Sequence, residues 1–181
     1  MTAVAETPTP KAARFSVTET LRDGRPVEIR ALKATDVEGL KTAVAHSSAE
    51  TLSRRFFAPK RHFSEREVAY FTDIDFVTQV ALVAVVDDGG KPSIAGGGRY
   101  VLVQPGVAEV AFAVVDDFQG QGIGTKLMHH LVGIAREAGL HELVAEVLPD
   151  NQPMLSVFQK CGLKVTTRRD RSAVHVTMQL A

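Results

Sequence analysis

The sequence predicts a single α/β domain built on a mixed, mostly antiparallel sheet with helices on both faces. Short alternating segments follow one another through the first half, separated by Gly- and Pro-containing turns that are typical of antiparallel pairing. The second half changes to helix, strand and helix before two final strands. At 181 residues the chain fits one compact domain. We expect residues 1–13, rich in Ala, Thr and Pro, to be a disordered tail and residues 14–181 to form the domain.

Composition restricts the kinds of partner to expect. Lys plus Arg and Asp plus Glu number 21 each, so the net charge is zero, whereas a general nucleic-acid binder needs a basic surface. No apolar run is long enough to cross a membrane, and the first residues lack the apolar segment of a signal peptide. The single cysteine, Cys161, excludes an internal disulfide. We therefore expect a cytoplasmic protein with neither nucleic-acid nor membrane partners.

The first elements follow from turn and cap signals. Two alternating runs flank Asp23-Gly24, which is a strong hairpin signal. Thr35 or Asp36 is placed to cap a helix, and residues 47–57 have the pattern of a second short helix. Ser64 begins a third, because Glu67 three residues later completes a capping box.

Strands are then predicted over residues 79–88, 93–103 and 107–115. Gly96–Gly98 interrupt the second of them and indicate either a β-bulge, the favoured interpretation, or room for a ligand. The later elements are a helix over Ile123–Ala138, a strand over Glu142–Leu148, a helix over Asn151–Cys161, and strands near residues 163–169 and 173–180.

A glycine-rich loop between strand and helix carries the chemistry. The three glycines of Gln119-Gly120-Gln121-Gly122-Ile123-Gly124 allow close approach of a ligand to the backbone. The free amides and positive dipole end of the helix form an anion site suited to phosphate or pyrophosphate. Thr125 before Lys126 excludes a nucleotide P-loop and breaks a dinucleotide fingerprint, which would also normally open a parallel sheet. A glycine turn without a ligand is the remaining alternative.

The pattern Gln119-x-x-Gly122-x-Gly124 resembles the acyl-CoA signature of the GNAT superfamily, and EVLPDNQPML around Asn151 resembles that family's second motif. The order of elements from about residue 28 to residue 180 is similar to the family's. SRRFF at 53–57, together with these motifs, resembles bacterial protein lysine acetyltransferases of the Pat type.

The resemblance implies a GNAT-like sheet splayed near Val115 and direct transfer of an acetyl group from acetyl-CoA to an amine, with a protein lysine as the favoured acceptor. A small-molecule amine acetyltransferase and a non-catalytic acyl-CoA-binding sensor module stay open as alternatives. The intact carboxylate of Glu109 favours an enzyme over a sensor.

The resemblance also implies a cofactor site. The backbone of Phe112, Ala113 and Val114 would pair with the pantetheine arm of acetyl-CoA, in the manner of an added strand. The pyrophosphate would lie on the amides of Gln119, Gly120, Gln121, Gly122, Ile123, Gly124 and Thr125. Asn151 would face the pantetheine or the thioester, cap a helix, or do both. Phe158 stands where many members carry a tyrosine that protonates the departing thiolate, so that role is unsupported here. No residue spacing suggests a metal site.

Glu109 is the predicted general base. It shares one face of its strand with Ala111 and Ala113, and it is the only charged residue of an apolar run. We expect partial desolvation of this carboxylate to raise its pKa towards neutrality, as a base working near pH 7 needs. The alternative is a strand-edge glutamate paired with a lysine or arginine. His175, in the last strand, is the next candidate.

The cluster Arg54, Arg55, Lys60 and Arg61 has the composition of a solvated face. In the superfamily this region borders the acceptor cleft, where a basic cluster could meet an acidic partner.

Overall fold

The computed structural model of the protein describes residues 9–57 and 63–181. Residues 1–8 of the predicted tail, and Lys60 and Arg61 of the basic cluster, lie outside the described residues. Lys11–Arg14 form a short 3-10 helix in which Ala12 packs against the core and Lys11 pairs with Glu137 at 2.6 Å. The structure therefore includes residues 11–13 in the folded domain, whereas the sequence predicted that they belong to the tail, because their apolar contact could not be read from composition.

Eight strands of the described residues form one sheet. They are β1 (Ser16–Thr20), β2 (Pro26–Ala31), β3 (Gln79–Asp88), β4 (Lys91–Gln104), β5 (Val107–Val114), β6 (Glu142–Val147), β7 (Lys164–Arg169) and β8 (Val174–Gln179). The helices are α1 (Val37–Ala45), α2 (Ala49–Phe56), α3 (Glu65–Thr72), α4 (Ile123–Glu137) and α5 (Gln152–Gln159). Across residues 9–57 and 63–181, no helix has the length and apolar character needed to span a bilayer.

The sheet is mixed and mostly antiparallel, as predicted. Its strand order is β1-β2-β3-β4-β5-β6-β8-β7, and only β5 and β6 run parallel. The predicted hairpin joins β1 to β2, and the predicted capping box of Ser64 and Glu67 begins α3. The parallel pair is the one connected by α4, since a parallel neighbour needs a crossover.

Helices cover both faces of the sheet, also as predicted. On one face α4 packs over β3, β4 and β5 and closes the main core, with its buried stripe at Ile123, Leu127, Met128, Leu131, Val132 and Ala135. On the other face α1 packs on β4 and α2 on β5. A smaller cluster, centred on Leu32, Ala81 and Val83, lies there. This second face is less completely filled and contains the cavity described below.

The glycine run of β4 serves two purposes. The register between β3 and β4 shifts opposite Ala84 and Val85, so the predicted bulge is present, at Ala95 just before Gly96. At Gly98 a side chain would collide with the core, because a Cβ there would lie 2.5 Å from the Phe112 ring and 3.2 Å from Leu131. The lack of a side chain therefore lets β5 and α4 pack closely.

We expect Gly98→Ala to destabilise the protein by about 1–3 kcal/mol, because the Phe112 ring must move in a packed core. Gly133→Ala is the matched control, since Gly133 is exposed in the middle of α4 and its Cβ would meet nothing within 4 Å. That variant should gain about 0.5–1 kcal/mol. Thermal or urea unfolding of the two variants measures both changes. Equal stability of Gly98→Ala and the wild type would contradict the packing described here.

Candidate active site

Strands β5 and β6 separate to form an opening in the sheet. They pair only between Val107–Glu109 and residues 142–144, and beyond Glu109 the two strands diverge. The opening therefore begins earlier than the predicted splay near Val115 and extends to it. Edge groups of a sheet left without a neighbouring strand can bind an extended ligand.

Successive residues of a strand turn their backbone N–H and C=O groups to opposite sides. The Val115 N–H donates to Ala95 of β4 at 2.8 Å, so Ala113, two residues earlier, also turns its groups towards β4. Phe112 and Val114 turn theirs towards the opening. Of the three residues predicted to pair with pantetheine, these two can present main-chain groups to a ligand.

The predicted pyrophosphate loop follows a short 3-10 helix (Asp116–Phe118) after β5 and leads into α4. Gly120 and Gly122 have φ values of +78° and +89°, which favour glycine, and Gly122 is the N-cap of α4. A Cβ at Gly120 would meet nothing within 4 Å, so the loop has space above it. The first amides of α4, at Ile123, Gly124 and Thr125, have no partner within the helix and carry its positive dipole end. The loop thus has the geometry of an anion site.

Both glutamines of the loop use their side chains to hold it in place. The Gln119 amide nitrogen donates to the Val114 carbonyl at 3.0 Å and to the Thr51 hydroxyl of α2 at 3.1 Å. The Gln121 side-chain oxygen accepts from the Asp23 N–H at 3.1 Å. These bonds fix the loop relative to α2 and the β1–β2 hairpin.

Arg22 is a residue that the sequence did not indicate. Its guanidinium donates to the Gly120 carbonyl at 3.0 Å and lies 3.9 Å from where a Cβ of Gly122 would be. It brings a positive charge to the edge of the anion site. Since Arg22 and Gly120 are 98 residues apart, only the tertiary structure joins them.

Glu109 and Asn151 meet at a small cleft at the base of the opening. The cleft has a volume of about 130 Å³ and is also lined by Arg55 and Phe158. Asn151 is 8% exposed, and its side-chain oxygen accepts from the Met154 N–H at 3.3 Å, so the predicted capping of α5 is present. The cleft therefore brings together the predicted base Glu109 and Asn151, and Glu146, which the sequence did not indicate, also lines it.

The predicted desolvation of Glu109 is wrong, because its side chain is exposed. Pairing of β5 with β6 ends at this residue. Its side chain shares the α1–α3 face of the sheet with Ala111 and Ala113, which line the large cavity there. Its carboxylate forms no ion pair with any residue in the described ranges. It is therefore not the paired strand-edge glutamate of the alternative interpretation. The charge of Glu109 acts on Arg55, since it partly opposes the lowering of the Arg55 pKa.

His175 is poorly placed to replace Glu109 as a base. Its Nε2 lies 2.5 Å from the Asp170 carboxylate and its Nδ1 lies 3.2 Å from Glu146. The hydrogen bond from His175 holds the pKa of Asp170 well below its usual range. Both ring nitrogens are thus engaged by carboxylates, which leaves no free nitrogen to take a proton from a substrate.

A larger cavity lies on the other side of β5. It has a volume of about 700 Å³ and is enclosed by α1, α2, α3 and the sheet, with Gly96–Gly98 along its floor. Its walls are mainly apolar. Ala111 and Arg55 line both this cavity and the small cleft, so the two spaces meet beside Glu109.

Phe158 is 1% exposed, and its ring centroid lies 5.9 Å from that of Phe112. We expect Phe158→Tyr to fold and to change turnover only modestly, because water can protonate a thiolate leaving group. Steady-state rates with a thiol reagent for free coenzyme A provide the measurement. A rise of more than about tenfold, or about 1.4 kcal/mol of barrier, would instead show that the site lacks an acid.

Comparisons with known proteins agree with this geometry. Residues 47–163 match the family model described as the acetyltransferase (GNAT) family. The chain is 31% identical over 153 residues to acetyltransferase PA5475 of Pseudomonas aeruginosa, covering 84% of this chain and 81% of that protein. It is also 31% identical over 156 residues to acetyltransferase Pat of Mycolicibacterium smegmatis, covering 85% of this chain but 46% of the relative, so it spans about half of that protein's length.

Among solved structures, the GNAT domain of S. lividans PAT superposes with a TM-score of 0.82 at 34% identity, covering 91% of this chain and 96% of that domain. The family match covers more than half of the chain, and both the sheet order and the opening between β5 and β6 are consistent with it. The chain therefore belongs to the GNAT family of acetyltransferases, enzymes that use acetyl-CoA as the acetyl donor.

Proposed function

We propose that this protein transfers the acetyl group of acetyl-CoA directly to an amine, with Glu109 as general base and a protein lysine as the favoured acceptor. The observation that carries the proposal is the position of Glu109. It lies where the cleft between β5 and β6 meets the large cavity, so a donor on one side and an acceptor on the other would both reach it.

The described residues fit acetyl-CoA. The amides of Gly120–Thr125 and the Arg22 guanidinium supply positive potential for the pyrophosphate. The backbone groups of Phe112 and the N–H of Val114 face the opening and can bond the amides of the pantetheine arm, while the Val114 carbonyl accepts from Gln119. The arm would then lead down the opening to the small cleft, which contains Asn151 and Glu109.

Acetyl-CoA supplies an activated acyl carbon joined to a good leaving group. The chain's part is to make the acceptor nucleophilic, since a lysine ammonium has a pKa of about 10.4 and lacks a free electron pair at pH 7. Glu109 takes the proton, directly or through one water, and the freed pair attacks the acyl carbon. The C–N bond forms and the C–S bond breaks. The attacking nitrogen then loses its second proton, which passes through water to the departing thiolate because Phe158 has none to give.

The exposure of Glu109 supports a protein lysine as acceptor. A carboxylate at the surface can be reached by the end of an extended side chain without burial of the partner's backbone. The resemblance to Pat-type acetyltransferases favours the same class. A cytoplasmic location, which the single cysteine favours, would supply both substrates.

A small-molecule amine is the second candidate, and the large cavity favours it. A volume of about 700 Å³ is within the range of small-molecule pockets and exceeds what one lysine side chain fills.

Incubation with labelled acetyl-CoA and a cell extract distinguishes the candidates. Label in protein bands supports the favoured acceptor, and label confined to small amines supports the second. Acetyl-CoA binding with no enzyme-dependent transfer would leave only a non-catalytic sensor module. Glu109→Gln, run in parallel, separates enzymatic transfer from spontaneous acetylation of lysines.

A further inference from the structure

The wall of the large cavity contains two arginines, Arg55 and Arg99, and Arg99 has buried hydrogen-bond donors without a partner. Arg99 of β4 is 8% exposed, and its Nε and Nη1 atoms are buried without any hydrogen-bond partner among the described residues. Its Nη2 donates to Gln79. Tyr70 and Phe71 of α3 lie over the guanidinium at 5.0 and 5.2 Å. A buried guanidinium with two unpaired donors normally lowers the stability of a protein, so the presence of Arg99 at this position calls for an explanation.

Arg55 of α2 is the second cation. It is half-buried, stacks on Phe56 at 4.8 Å, and forms no ion pair within the described part of the chain. Burial, followed by the nearby charge of Arg99, lowers the pKa of Arg55 to about 10. The neighbouring Arg54 differs, because Glu50 and Asp150 neutralise it at 2.6 and 3.6 Å. The expected solvated basic face is therefore wrong for Arg55.

This arrangement has the charge of an anion site. Two guanidiniums repel each other across the cavity wall, and Glu109, the one carboxylate that acts on Arg55, does not form an ion pair with it. An anion seated between them would relieve the repulsion and accept from the unpaired Nε and Nη1 donors of Arg99. Arginine donors match the two oxygens of a carboxylate, and the remaining apolar wall suits a hydrocarbon body.

We propose that the cavity recognises a carboxylate on the acceptor, bound between Arg55 and Arg99, while the acceptor amine lies beside Ala111 and Glu109. This rests on the proposed function and adds a substrate class to it, an amine that carries a carboxylate. The carboxylate could belong to a free amino acid or to an acidic residue beside a lysine in a protein. In both cases the two guanidiniums would recognise the same group.

The test compares acceptors that differ only in charge. The first pair is leucine and leucinamide, and the second is a lysine peptide with a flanking glutamate and the same peptide with glutamine. We expect kcat/KM, measured by release of free coenzyme A, to favour the carboxylate member of at least one pair by about tenfold to hundredfold. The leucine pair identifies a free amino acid and the peptide pair a protein acceptor. Equal rates within both pairs would overturn the proposal, while transfer to amines in general would stand.

Substitutions of Arg55 test whether it causes the preference for a carboxylate. Arg55→Gln should bring the ratio of kcat/KM between the two members of the preferred pair towards one. Arg55→Lys should keep part of that ratio because the charge remains. Arg169→Gln is the matched control, since Arg169 is exposed on β7 and borders neither space. An equal loss of kcat for both members of a pair in Arg55→Gln would assign Arg55 to the chemistry and contradict this role.

A binding measurement stays informative if no acceptor turns over. Calorimetry of wild-type protein should show N-acetyl-leucine binding at least about tenfold more tightly than N-acetyl-leucinamide. The absence of turnover with every amine would then remove the proposed function but not the anion site. Equal affinity for the two compounds would remove the anion site but not the function.

Discussion

Glu109→Gln is expected to lower turnover at pH 7 by about a hundredfold or more and to leave acetyl-CoA affinity nearly unchanged. Glutamine keeps the shape of the side chain and removes its ability to accept a proton. The other carboxylate of the cleft, Glu146, lies 3.2 Å from His175 Nδ1, and the second nitrogen of His175 is engaged by Asp170. The measurement is the initial rate of coenzyme A release, with Glu38→Gln, an exposed glutamate on α1 outside both spaces, as the control.

The dependence on pH separates loss of a base from loss of shape. As the pH rises towards about 10.4, a larger fraction of the acceptor amine is already neutral, so the difference between variant and wild type should shrink. A variant that lost activity through misfolding would show no such recovery. Near wild-type turnover of Glu109→Gln at pH 7 would exclude Glu109 as the base and leave Glu146 of the same cleft, or a chain of water molecules, to remove the proton.

Gly124→Asp is expected to weaken acetyl-CoA binding by about a hundredfold or more without unfolding the protein. Gly124 lies in the first turn of α4, where its Cβ would contact Val157 at 3.5 Å, an ordinary distance. The positive end of the helix dipole stabilises a carboxylate at this position, so the helix should still form. The same carboxylate would lie close to the predicted pyrophosphate position and repel it. Two like charges about 4 Å apart near a protein surface repel by about 4 kcal/mol.

Gly124→Ala is the matched control, because it adds the Cβ without the charge. Calorimetric titration with acetyl-CoA should show a small loss for this variant and a large one for Gly124→Asp. Gly122→Asp should bind at least as poorly, and its φ of +89° adds backbone strain. A folded Gly124→Asp variant with wild-type affinity would place the pyrophosphate elsewhere.

The parts of the fold that depend on neighbouring residues were predictable. Asp23-Gly24 determines a hairpin by turn chemistry, and Ser64 and Glu67 begin a helix by a local capping box. The order of strand, glycine loop and helix was also predictable, because it follows from residues adjacent in sequence. That an anion binds there stays a prediction. The strands from β3 to β8 begin and end close to the predicted residues, because turn residues in the sequence also mark their ends.

The missed features depend on residues far apart in the chain. Arg22 reaches the loop across 98 residues. Arg99 reads as an ordinary strand residue, and only the packing of α3 over β4 shows that two of its donors are buried and unpaired. The exposure of Glu109 depends on where β5 parts from β6, which no local pattern specifies.

Two-substrate initial-rate kinetics most directly test the central claim that donor and acceptor occupy the two sides of β5 together. Direct attack requires both substrates to be bound at once, so double-reciprocal plots at several acceptor concentrations should give intersecting lines. In addition, no label from acetyl-CoA should remain on the denatured enzyme when the acceptor is omitted. Parallel lines with label retained on the protein would indicate a covalent acetyl-enzyme and contradict direct transfer.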